Sequence, residues 1–138
     1  MIGNKSLVAL IDTLSAEHQE LLPQLGGLSE TAAASPETLK SEFGLIAPLL
    51  GLPLDEHIAN EERVLFPAYA AAGGDAALLS VFTEEHREIL ALRNRLVAAL
   101  EDDDFTAARS LAEQLTDVLS SHIHREDEVL FPMMRDLL

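Results

Sequence analysis

Apolar residues recur along this chain at the three-four spacing that keeps one face of a helix out of water. In the first segment they fall at Leu7, Leu10, Ile11, Leu14, Leu21, Leu22 and Leu25, which predicts a helix ending near Gly26-Gly27. Ser35-Pro36-Glu37 reads as an N-cap with proline at the first helical position, opening a second helical region that runs to about Ala72. Gly44, Pro48, Gly51 and Pro53 lie inside it, so a kink or short break is expected before a regular segment starting near Pro53. After Gly73-Gly74-Asp75, a third stripe of Leu78, Leu79, Phe82, Ile89, Leu90, Leu96, Val97 and Leu100 reaches Glu101. Asp102-Asp103-Asp104 offers capping carboxylates for a fourth helix, whose stripe runs through Phe105, Ala108, Leu111, Ala112, Leu115, Val118, Leu119, Val129 and Leu130. Four helices joined by short links predict an all-α fold, an up-down-up-down four-helix bundle.

The pattern repeats. His57–Pro67, HIANEERVLFP, and His122–Pro132, HIHREDEVLFP, share seven identities in eleven positions at a constant offset of 65. The first and third helices echo each other at an offset of 68, with Glu17-His18 matching Glu85-His86. Two copies of one helix pair predict a pseudo-twofold axis through the centre of the bundle.

Polar residues interrupt the apolar stripes at matching depths. His18 falls between Leu14 and Leu21, His86 between Phe82 and Leu90, His57 and Glu61 between Leu54 and Val64, and His122 and Glu126 continue the fourth stripe. Glu61 is eleven residues before Ala72 and His86 eleven after Asp75. At the helical rise both lie about 16 Å from the same end, so the six side chains share one layer. A hydrogen-bonded core histidine is the bland reading of each imidazole alone. Together, two buried carboxylates without a cation would cost several kcal/mol each, and four imidazoles would need partners that apolar stripes do not supply. Mixed imidazole and carboxylate donors suit non-haem iron or manganese better than structural zinc, which favours a closed tetrahedral set. His124 points about 200° away from His122, toward Asp117, Ser121 and Glu128, and is expected to face solvent.

Composition narrows the classes further. The 138 residues fit a single domain over 1–138, rich in Ala and Leu and without Trp. A formal charge of −15 disfavours phosphate backbones and anionic membranes, so neither a nucleic-acid nor a membrane partner is expected. With no cysteine, disulfides, thiolate zinc sites and cysteine-ligated clusters are excluded. Met1–Leu14 reads as an amphipathic stretch rather than a leader or a span, making a cytoplasmic location the default expectation.

The single-histidine first and third helices and the two H-x-x-x-E-[ED]-x-V-L-F-P segments resemble the hemerythrin HHE cation-binding domain over nearly the whole chain. The resemblance implies a hemerythrin-like bundle around two Fe ions in an oxo- or hydroxo-bridged di-iron centre. It makes His18 and His57 terminal ligands of one iron, His86 and His122 of the other, and Glu61 and Glu126 the bridges. Asp127 has the spacing of the bridging aspartate in oxygen-carrying hemerythrins and competes with Glu126; the repeat, which pairs Glu126 with Glu61, favours the glutamate. Those carriers have a second histidine on the third helix, four residues along, where this chain has Leu90. The four-His, two-Glu set is closer to bacterial di-iron proteins implicated in iron-sulfur cluster repair and nitric oxide stress, although their cysteine-containing segment is absent.

The leading expectation is a non-haem di-iron protein that binds or reacts with oxygen, peroxide or nitric oxide in stress response or sensing, as a monomer or homodimer. Whether it is an enzyme stays open. Its rivals are an iron store or donor, an iron-sulfur repair protein, and a metal-free helical interaction module. A ferritin-like oxidase is disfavoured because none of the inward histidines has Glu three residues before it. Glu62 and Asp127 otherwise read as exposed charges, Tyr69 as a core or interface residue that also lies within reach of a bound species, and each Leu-Phe-Pro as core packing with a helix-ending or kinking proline.

Overall fold

The computed structural model describes residues 3–138; Met1 and Ile2, the start of the stretch read for a leader, lie outside the described residues. The helices are α1 (Asn4–Thr31), α2 (Pro36–Leu50), α3 (Leu52–Asn60), α4 (Phe66–Ala71), α5 (Ala76–Glu101), α6 (Phe105–Arg125) and α7 (Phe131–Leu137). Two π-helical turns, Glu61–Leu65 and Glu126–Leu130, splice α3 to α4 and α6 to α7. The result is four antiparallel rods: α1, the α2–α4 run, α5, and the α6–α7 run. No strand occurs among the described residues.

Capping agrees with the sequence. Ser35 accepts from the Thr38 amide, Asp75 from Ala77 and Leu78, and Asp104 from Ala107, each satisfying first-turn donors that have no partner within the helix. Between the second and third rods Gly73 takes a left-handed φ of 100°. Gly74 lies so close to Tyr69 that a Cβ would fall 2.5 Å from the ring. The break in the second rod falls at Gly51, whose φ −85°, ψ −122° leaves the helical region, and α3 restarts with Pro53 in its first turn.

Three expectations are corrected. The first helix runs through Gly26-Gly27 to Thr31, because Leu25, Leu28 and Ala32 are fully buried on the same stripe. Two helical glycines cost about 1 kcal/mol each against alanine, whereas burying each leucine returns about 1.5–3 kcal/mol. The prolines of the two Leu-Phe-Pro segments end no rod. In a regular helix the Pro67 ring would collide with the Arg63 carbonyl, and Pro132 with that of Glu128. The chain instead widens by one residue just before each proline, so that Phe66 N–H donates to Glu61 O and Phe131 N–H to Glu126 O. The extra residue shifts the register of the helix face, which leaves Val129 48 % exposed rather than on the apolar stripe.

The interior is divided in two. One apolar cluster holds Leu25, Leu39, Ile46, Leu50, Ile89, Leu96 and Leu115, and the other holds Ile11, Leu14, Leu65, Phe82, Leu130 and Phe131. The histidine and glutamate layer lies between them.

Candidate metal centre

Each rod delivers its imidazole from an unbroken helical stretch, His18 on α1, His57 on α3, His86 on α5 and His122 on α6. Glu61 and Glu126 are the first residues of the two π turns, one α-helical turn beyond His57 and His122. Both carboxylates are 0 % exposed and the histidines are buried with them. The donor atoms form two overlapping quartets, His18–His57–Glu61–Glu126 and Glu61–His86–His122–Glu126, with ligand atoms within 4.8 Å of one another in each. Glu61 Oε1 lies 3.0 Å from His86 Nε2 and 3.6 Å from His57 Nε2. Glu126 Oε1 lies 3.2 Å from His18 Nε2 and 3.3 Å from His122 Nε2. Each glutamate therefore faces one histidine from either quartet, as the pseudo-twofold repeat requires.

Four further carboxylates hold the rings from outside. His18 Nδ1 lies 2.9 Å from Asp127, His57 Nδ1 2.9 Å from Glu17, His86 Nδ1 2.5 Å from Glu62 and His122 Nδ1 2.8 Å from Glu85. Each carboxylate accepts the Nδ1–H, which turns the Nε2 lone pair toward the centre. Glu62 and Asp127, read from sequence as exposed charges, are thus part-buried partners of histidines on other rods. Glu17 and Glu85 were missed in that role. The signal was present: each stands beside an inward histidine at the same place in the repeat. Asp127 is occupied at this outer edge, 3.2 Å from the Ser15 hydroxyl as well, while Glu126 sits in the centre. Phe131 stacks on His18, Phe66 on His86, and the edge of Phe82 meets His122. His124 is exposed, outside the layer.

Without a cation the layer is poorly balanced. All four oxygens of Glu61 and Glu126, and His86 Nε2, are buried without hydrogen-bond geometry to any partner. Burial, and then the neighbouring Glu126 charge, push the Glu61 carboxyl well above the usual range. Burial works the same way on Glu126, but Glu61, His122 and His18 as proton donors outweigh it and hold that carboxyl well below the range. Burial also opposes a charged His18 or His122, yet Glu126 with Asp127 raises the first and Glu126 with Glu85 the second. His57 and His86 are lowered, by burial first and by the adjacent imidazole second. Convergent lone pairs of nitrogen and oxygen, shielded from water, are what a divalent or trivalent cation needs.

A cavity of about 70 Å³ reaches this layer from one side. Leu21, Leu49, Leu54, Ile58, Ile89 and Leu119 line its apolar part, and His18, His57, Glu61, His86 and His122 its floor. Tyr69 is buried in the apolar cluster across the layer and takes no part in the lining.

Compared with known protein families, residues 8–134 match the hemerythrin HHE cation-binding domain. The chain belongs to the hemerythrin HHE cation-binding domain family. This hemerythrin-domain chain is 30 % identical to the iron-sulfur cluster repair protein DnrN of Neisseria gonorrhoeae, over 88 % of its own length and 82 % of that protein's. It is 26 % identical to the iron-sulfur cluster repair protein YtfE of Musicola paradisiaca (strain Ech703), over 94 % of its own length but 64 % of that protein's. No solved structure gives a significant match. Among the described residues, no helix of this hemerythrin-domain chain is long and apolar enough to cross a membrane.

Proposed function

We propose that this chain is a non-haem di-iron protein that binds or reacts with oxygen, peroxide or nitric oxide in a stress response or in sensing. His18 and His57 hold one iron, His86 and His122 the other, and Glu61 and Glu126 span the pair. One observation carries the reading: two buried donor quartets share two glutamates whose four oxygens approach the imidazoles without hydrogen-bond geometry to any of them. Bound there, iron supplies open coordination positions and one-electron redox chemistry.

The chain's own residues set the conditions. The outer carboxylates fix each imidazole tautomer and strengthen Nε2 as a donor. Leucine and isoleucine make up most of the apolar part of the cavity walls, and Glu17 and Glu20 are also among the lining. About 10–15 Å³ suffices for one water, so 70 Å³ admits a diatomic molecule or a peroxide with room for several waters besides. Oxygen and nitric oxide, uncharged and weakly hydrated, suit such walls best.

A second reading, participation in iron-sulfur cluster repair, is favoured by the two relatives, both named for that activity. This chain has no cysteine, so it offers no thiolate of its own to a cluster. On this reading its share of such a process is iron or nitric oxide chemistry at the histidine and glutamate layer.

The test is metal analysis and absorption spectroscopy on aerobically purified protein, wild type against Glu61→Ala with Glu126→Ala. About two irons per chain with near-ultraviolet absorption of a bridged ferric pair, both lost in the variant, is the expected result. No bound iron after anaerobic reconstitution with ferrous iron would overturn the proposal. Reduced protein exposed separately to oxygen, hydrogen peroxide and nitric oxide then identifies the ligand class.

A further inference from the structure

Among the charged positions at which the two copies of the helix pair differ, one pairs with an outer carboxylate of the layer. The offset of 65 that relates His122 to His57 relates Arg125 to Asn60. Glu85 accepts the His122 Nδ1–H on Oε1 and the Arg125 guanidinium on Oε2. Its counterpart Glu17 accepts the His57 Nδ1–H, and no lysine or arginine pairs with it among the described residues. Glu62 and Asp127 likewise pair only with their histidines, apart from the neutral Ser15 hydroxyl on Asp127. The same guanidinium lies 5.7 Å from the centre of the Phe82 ring, whose edge meets His122.

An outer carboxylate strengthens a ligating imidazole by drawing on its N–H, and its charge also attracts the cation directly. A guanidinium on that carboxylate cancels much of both effects. It also fixes the carboxylate in place, which would favour binding. That gain is small here, because His57 and His122 are both buried and already packed, at 8 % and 2 % exposure. What remains is charge.

We propose that Arg125 makes the two quartets unequal, so that the first cation enters His18–His57–Glu61–Glu126 and the second, more weakly, Glu61–His86–His122–Glu126. The inference rests on the proposed metal site and concerns the order of loading, with Arg125 acting through Glu85 as a positioning residue.

The test is anaerobic titration of metal-free protein with ferrous iron at low salt, with crystals grown at one equivalent and iron located by anomalous scattering. Wild type is expected to favour the His18–His57 quartet about tenfold, the lower end of what outer-shell changes do to metal affinity. Arg125→Asn, which copies the other half of the repeat at this position, should narrow the preference markedly. Arg125→Asn with Asn60→Arg should reverse the order, and added salt should narrow the preference in wild type. Even filling in wild type, or an unchanged preference in Arg125→Asn, overturns the proposal. Absence of iron from both quartets at excess overturns the metal-site reading itself, a distinct failure.

Discussion

Glu61, His18 and His122 each hold a proton more tightly in the metal-free fold than the same groups do in water, whereas His57 and His86 hold theirs less tightly. Any proton that the first set still holds at the working pH must leave before a cation binds, whereas the second set is mostly neutral near pH 7. Metal loading should therefore release protons, and affinity should weaken as pH falls, by about tenfold per unit for each proton displaced. Calorimetry of ferrous binding in buffers of different ionisation enthalpy between about pH 6 and 8 checks this. An affinity indifferent to pH and buffer would count against the assigned protonation states. At this scale the six inward donors were legible in the sequence, because polar residues on an apolar stripe leave few alternatives. The four outer carboxylates were less so. A carboxylate next to an inward histidine, as Glu17 and Glu85 are, or next to an inward glutamate, as Glu62 and Asp127 are, looks like solvated surface until the neighbouring rod is known, and each of these four pairs joins two rods.

Helix caps and the Gly51 break could be read from local chemistry, since Ser35, Asp75 and Asp104 act within one turn of themselves. The passage through Gly26-Gly27 and the π turns could not, because both are decided by packing that overrides local preference. Glycine at 26 is consequently unneeded: a Cβ there meets nothing within 4 Å. Gly26→Ala should stabilise the bundle by about 0.8–1.0 kcal/mol and raise the melting temperature by a few degrees. Gly74→Ala should lower it, since the new methyl meets the Tyr69 ring. Thermal melts of the two variants beside wild type decide the matter; loss of stability in Gly26→Ala, or none in Gly74→Ala, would contradict the packing described.

The pattern of stripes and the repeat revealed the four-rod arrangement, but not that a polar layer parts the interior into two apolar bodies. Replacing Glu61 and Glu126 together by leucine should abolish iron binding and, because it strands the His18 and His122 imidazoles that Glu126 holds charged, should lower the stability of the metal-free bundle. Iron should add stability to the wild type through its preference for the folded state, and none to the variant. Denaturant melts with and without iron test both statements; a leucine variant that iron stabilises as much as it does the wild type would contradict the part given to the two glutamates.

The repeat carries one more consequence. Residues 76–138 alone contain His86, His122 and Glu126, with Glu85 and Asp127 beside them. Two such halves, related by a true rather than an approximate dyad, would furnish four imidazoles and two shared carboxylates. A covalent link between the halves is then not needed to supply the donors. What it allows is for the two sides to differ in sequence, as Arg125 and Asn60 do.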